Sequence, residues 1–128
     1  MKHIVRQMIA LYDLKNTKIC FMGYKLDKQA NYHHIIKKEY GGETSIKNGA
    51  VINDYAHDYL HVIETYDLEM FAYLNRILQK ENEQGCLSLQ YLRTIDHILR
   101  SFEREHCSDV SCRNKKLIKE EYLKRAHF

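Results

Sequence analysis

From residue 88 to residue 105 the apolar side chains Leu92, Ile95, Leu99 and Phe102 recur every three or four positions, the period of an α-helix that buries one stripe. Two stretches upstream share it. Ala56, Leu60 and Ile63 predict a helix capped by Asn53 or Asp54 and running to about residue 65. Phe71, Leu74, Ile77 and Leu78 predict a second, from about residue 67 to 83, which Gly85 ends. Val5, Met8, Ile9 and Tyr12 mark a short amphipathic helix over residues 2–14. After the polar break CSDVSC a last helix is expected from about residue 113 to the end, with Leu117, Ile118 and Tyr122 inward. The pattern before Gly41 differs. KICFMGY (residues 18–24) and YHHII (32–36) are short runs rich in strand formers, separated by LDKQAN, and predict two strands joined by a polar turn. Gly41-Gly42 then marks a loop. The expected class is α+β, a small β element inside a mainly helical chain.

The 128 residues contain no proline, repeat or low-complexity linker, so one domain is expected over residues 1–128. Its parts are an N-terminal helix (1–17), a strand–loop–helix unit (18–65) and a helical C-terminal region (66–128). The long helical patterns argue against disorder, and no apolar run approaches the roughly 20 residues of a membrane span. Arg6 and Gln7 interrupt the first apolar stretch, so no secretory signal is expected. Cys20, Cys86, Cys107 and Cys112 are irregularly spaced and read as free thiols of a reducing cytoplasm. The net charge of +3 is unevenly placed. Residues 1–50 hold nine basic against four acidic side chains, residues 51–83 two against seven, and residues 84–128 nine against six. Basic flanks around an acidic middle permit a polyanionic partner.

Candidate chemistry gathers between residues 33 and 61. His57 and His61 lie one helical turn apart and project from one face, so they can share a metal ion. His33 and His34 on a strand point to opposite faces, so one can join that ion while its neighbour meets a substrate or a water. A strand, a glycine-turned loop and a helix can bring His33 beside His57 and His61. Imidazole ligands suit zinc, nickel or copper, and an open site also admits abundant magnesium or manganese. Three ligands, a base and the amide of Asn48 are a set suited to phosphodiester hydrolysis.

The segment resembles the HNH endonucleases, the ββα-metal (His-Me) finger nucleases, and most closely the His-rich version in the DNase domains of nuclease colicins. The matching residues are His33-His34, Gly41-Gly42, Asn48, His57 and His61, in that order and at closely similar spacing. The resemblance implies a ββα-metal finger, a two-stranded antiparallel hairpin plus helix, over roughly residues 18–65. It implies His34 as general base, His33, His57 and His61 as ligands of one divalent ion (Mg2+, Mn2+, Zn2+ or Ni2+), and Asn48 as the residue that ties down the long loop. A histidine suits the base because its ordinary pKa of roughly 6.5 leaves it largely neutral at pH 7. Lys37 and Lys38, next to the histidine pair, are placed to meet a phosphate. Many HNH proteins also bind a structural zinc through two Cys pairs. Asn53 and Ala56 stand where the second pair would fall, so no structural zinc is expected, and packing against the flanking helices must stabilise the finger.

The expected activity is metal-dependent DNA hydrolysis with little sequence specificity, in the cytoplasm of a bacterial or phage-infected cell. The C-terminal helices could contact a protein partner or form a homodimer. The rival from another class is a catalytically idle HNH-fold binding or inhibitor module, for instance phage-encoded; a third is a structural zinc module. His97, His106, Cys107 and Cys112 match no tight ligand motif and read as a helix histidine and loop thiols more readily than as a second zinc site. Arg113, Lys115, Lys116, Lys119 and Lys124 are scattered by helical placement and interrupted by Glu120 and Glu121, so a solvated face explains them as well as a DNA contact.

Overall fold

The computed structural model describes residues 2–26 and 30–125. The elements in chain order are α1 (His3–Leu11), α2 (Leu14–Thr17), β1 (Asn31–His34), β2 (Gly49–Ile52), α3 (Asp54–Tyr66), α4 (Leu68–Gln84), α5 (Leu89–Glu105) and α6 (Cys112–Lys124), with short 3-10 turns at Lys38–Tyr40 and Ile46–Asn48. The α+β class expected from the sequence is what forms: a mostly helical chain around a two-stranded antiparallel sheet. Among the described residues no helix is long and apolar enough to cross a membrane. The side chains of Cys112, Tyr122 and Lys124, residues 27–29 of the expected polar turn and the last three residues lie outside the described residues.

Helices α3, α4 and α5 start and stop where local chemistry says they should. The side chains of Asn53, Asp67 and Ser88 accept hydrogen bonds from the amides of Ala56, Met70 and Tyr91, and each such cap contributes about 1 kcal/mol. Gly85 ends α4 in the left-handed region, φ 76°, which costs glycine little. The buried stripe of α5 is Tyr91, Leu92, Ile95, Ile98, Leu99 and Phe102. It packs with Phe71, Leu74 and Leu78 of α4, and with Ala56, Tyr59, Leu60, Val62 and Ile63 of α3. Burying each large apolar side chain contributes about 1.5–3 kcal/mol, so this three-helix core supplies much of the frame.

The sheet differs from the sequence expectation. Its strands pair Asn31 with Ile52, Tyr32 with Val51, His33 with Ala50 and His34 with Gly49. The partner of the histidine strand is therefore the downstream GAVI segment and not residues 18–24. Residues 20–24 of KICFMGY are buried, Ile19 half-buried and Lys18 exposed, and the segment forms a tight turn: Gly23 N–H donates to the Cys20 carbonyl and Cys20 N–H to the Tyr24 carbonyl. Gly23 takes φ 82°, and only a single bridge, Ile19 to Lys25, closes the turn. Phe21 N–H donates to the Val51 carbonyl, docking the turn against β2. Both segments are short and apolar, and burial on all sides removes the alternation that would separate strand from turn. Every residue of β2 is buried. The consequence for the site is a β1–loop–β2–α3 path in which α3 starts immediately after the sheet. Asn31 Nδ2 donates to Asp54 Oδ1 and joins the head of β1 to the first turn of α3.

Candidate functional site

His33, His34, His57 and His61 line one cleft of about 380 Å³, together with Lys37, Lys38, Glu64 and Phe71. The strand supplies the first two histidines and α3 the other two. Their surroundings differ. His33 is partly buried under α4, where its Nε2 lies 2.8 Å from Asn75 Oδ1 and its ring meets Phe71 edge-on, centroids 6.5 Å apart. Burial lowers its pKa, and the neighbouring imidazoles His57, His34 and His61 lower it further, while the hydrogen bond to Asn75 opposes this. His33 is therefore kept neutral, the form that binds a metal.

His34 takes the opposite face of β1. Its Nε2 lies 2.9 Å from Thr44 Oγ1, and its ring stands edge-on to Tyr32 two residues back, centroids 4.7 Å apart. Its pKa is also lowered, by partial burial and by the positive charges of Lys38 and Lys2. The Tyr32 hydroxyl donates to the Ser45 carbonyl at 2.7 Å and accepts from the Ser45 amide at 3.0 Å, so the loop that carries Thr44 is pinned beside His34.

Asn48 is the clamp of that loop. Its Oδ1 accepts from Ile36 N–H at 2.8 Å, and its Nδ2 donates to the carbonyls of Ile36 at 3.0 Å and Glu43 at 2.9 Å. Its backbone carbonyl accepts from Ile35 N–H. The Asn48 side chain thus reaches His34 indirectly, through the segment that presents Thr44. Gly42 allows this closure: a Cβ there would lie 1.8 Å from the Ile36 carbonyl oxygen and 2.9 Å from Asn48 Nδ2.

On α3 the rings of His57 and His61 stand 4.6 Å apart, as one helical turn requires, and both residues are exposed. The convergence expected of His33, His57 and His61 is not complete. Among the described residues, the trio of His, Cys, Asp or Glu side chains whose ligand atoms all lie within 4.8 Å of one another is Asp67, Glu105 and His106. The three cleft histidines share a cavity but are spaced more widely than a closed ligand set. The physical reason lies in α4, which holds His33 through Asn75, while the two α3 rings are exposed and lean on each other, with His57 Nδ1 3.9 Å from the exposed Asp58 carboxylate.

The lysines also divide. Lys37 is paired with Glu64 of α3 and lies 3.7 Å from Glu39, so its ammonium spans the cleft already engaged. Lys38 is exposed on the 3-10 turn and lines the same cleft.

Asp67 and His106 of that trio, together with Asp109, are better described as an ion-pair knot. His106 Nε2 lies 3.0 Å from Asp67 Oδ2 and its Nδ1 lies 2.8 Å from Asp109 Oδ2. The hydrogen bond to Asp67, aided by Asp109, raises the His106 pKa, and that to His106 lowers the Asp67 pKa. An imidazolium donating from both nitrogens has no lone pair for a metal. The knot ties the start of α4 to the end of α5. His97 is exposed on α5 and Cys107 is an exposed free thiol, neither of them in that trio.

Sequence reasoning missed Asn75 and Asn82 of α4. Asn82 is buried and its Nδ2 donates to the carbonyls of Ile46 and Gly49, 2.7 Å each, which anchors the end of the loop and the start of β2 to α4. The signal was present as amides in or beside the apolar stripe of Phe71, Leu74 and Leu78, since a polar side chain facing a core needs a partner there. Comparison of the chain with protein-family models, with curated proteins and with solved structures gives no match.

Proposed function

We propose that this chain is a metal-dependent HNH-type endonuclease that hydrolyses DNA phosphodiester bonds, with β1, β2 and α3 as its ββα-metal finger. The observation that carries the reading is the meeting of His33, His34, His57 and His61 on one cleft, with Asn48 clamping the loop beside them. The donor chemistry fits one divalent ion held by His33, His57 and His61: three imidazoles, the least exposed of them kept neutral by burial. When bound, such an ion polarises the scissile phosphate and stabilises the departing 3′ oxygen.

The protein's own residues do the rest. His57 and His61 are exposed, so turning their rings toward His33 displaces no core side chain. His34, held neutral near pH 7, takes the proton of the attacking water. The Thr44 hydroxyl can accept from Nε2–H, and in that tautomer the Nδ1 lone pair is left to accept the proton. Lys38, which lines the cleft, would meet a phosphate oxygen, and Lys37 can do so on exchanging its Glu64 partner. Neither contact reads a base, in keeping with little sequence specificity.

Supercoiled plasmid incubated with the protein and Mg2+, Mn2+, Zn2+ or Ni2+, added singly, tests this. Nicking is expected with at least one ion, abolished by EDTA and reduced roughly a hundredfold in His34→Ala, the scale of losing a general base. Equal cleavage by the variant contradicts the assignment. One observation favours the second reading, a catalytically idle HNH-fold binding or inhibitor module: the three ligand rings are spaced too widely to be a preformed site. Folded protein that cuts with none of the ions would select that reading.

A further inference from the structure

The His33 ring is gripped from two successive turns of α4. Phe71 packs edge-on against it, and Asn75, one turn later on the same helix, places Oδ1 at 2.8 Å from Nε2. Helix α4 lies outside the segment that carries the HNH resemblance, and nothing in that resemblance calls for either residue. The contact spans 42 residues of sequence and joins a two-stranded sheet to the helical shell. Its chemistry is directional. An amide oxygen can only accept, so a ring nitrogen facing it carries the proton, and the other nitrogen, Nδ1, then holds the lone pair.

We propose that Asn75 is a positioning residue that fixes the ring of His33 with Nε2–H donated to its amide oxygen, leaving Nδ1 as the atom offered to a divalent ion. The role toward the ion rests on the metal-dependent reading above; the ring lock itself does not. A hydrogen-bond partner on the far nitrogen of a ligating histidine fixes its tautomer and orientation, and losing it typically costs about 10–100-fold in metal affinity. The helical shell therefore has a task beyond stabilising the finger. It holds one ligand in place while His57 and His61, exposed on α3, are left to close on the ion.

The test uses the full chain and two measurements. In metal-free protein labelled at histidine with 15N, the His33 Nε2–H proton is expected as a protected ring signal coupled to Nε2. It should vanish in Asn75→Leu, which keeps the bulk but has no acceptor, and persist in Asn75→Asp, which retains one. In calorimetry with Zn2+ or Ni2+ alone, Asn75→Leu is expected to bind roughly 10–100-fold more weakly than wild type, with Asn75→Asp close to wild type or tighter. A proton found on Nδ1, or a ring signal unchanged in Asn75→Leu, overturns the lock. Wild-type metal affinity retained in a folded Asn75→Leu that has lost the ring signal overturns the positioning role. Wild-type protein that binds neither ion also overturns that role; plasmid nicking with Mg2+ or Mn2+ then decides the metal-dependent reading, and the ring signal still decides the lock.

Discussion

Replacing Asn48 with alanine removes three side-chain hydrogen bonds that close the loop over the histidine strand, two to Ile36 and one to Glu43. A hydrogen bond contributes about 0.5–1.5 kcal/mol net, and water can reach these partly exposed groups, so the low end applies. The three together come to about 1.5 kcal/mol. For a chain of this size each kcal/mol moves the melting temperature by about 4 °C, giving an expected fall of about 6 °C by calorimetry. Amide exchange adds a site-specific check. Ile36 N–H donates to the Asn48 side chain and should lose its protection, whereas Ile35 N–H donates to the Asn48 backbone carbonyl and should keep it. A melting temperature within about 2 °C of wild type, with Ile36 still protected, would refute the clamp.

Gly42→Ala should destabilise by about 2–3 kcal/mol, because the new methyl group meets the backbone oxygen of Ile36, which cannot rotate away; a melting curve matching wild type would show that the loop does not approach so closely. Asn82→Leu strips the buried carbonyls of Ile46 and Gly49 of a shared donor and should cost about 2–4 kcal/mol in denaturant unfolding, with a loss under about 0.5 kcal/mol counting against the anchor. The His106 knot makes stability depend on pH. Because folding raises the His106 pKa, its contribution is complete below the unfolded value of about 6.5 and is lost as pH rises through the folded value. Asp67, whose pKa is lowered, contributes above about 3.9 and loses that contribution as pH falls. The stability gap between wild type and His106→Ala should therefore be wider at pH 6 than at pH 9, by about 1 kcal/mol for this partly exposed pair. A gap that stays constant or widens at alkaline pH would contradict the sign.

Much of the helical frame was legible because its information is local. The stripes of α3, α4 and α5, their caps at Asn53, Asp67 and Ser88, and the stop at Gly85 all lie within a few turns of the residues they govern. Strand β2 was not legible. Gly49–Ile52 is only four residues, buried throughout, and its identity as the partner of β1 depends on a contact made across a loop. At the site, four of the residues named from spacing, His33, His34, His57 and His61, line one cleft. The fine geometry was not legible, because ring orientation is set by side chains from elsewhere in the chain: Asn75 and Phe71 for His33, Thr44 and Tyr32 for His34. His57 and His61 are exposed and meet each other and Asp58, contacts that do not turn them toward His33, so shared spacing did not translate into a closed ligand set.

Crystals grown with Zn2+ or Ni2+ and measured at the absorption edge of that metal test the central claim most directly. The account predicts one strong anomalous peak in the four-histidine cleft, about 2.0–2.1 Å from a ring nitrogen of each of His33, His57 and His61, with His34 uncoordinated. A cleft without a peak at saturating metal, or a peak only at Asp67, Glu105 and His106, would contradict it.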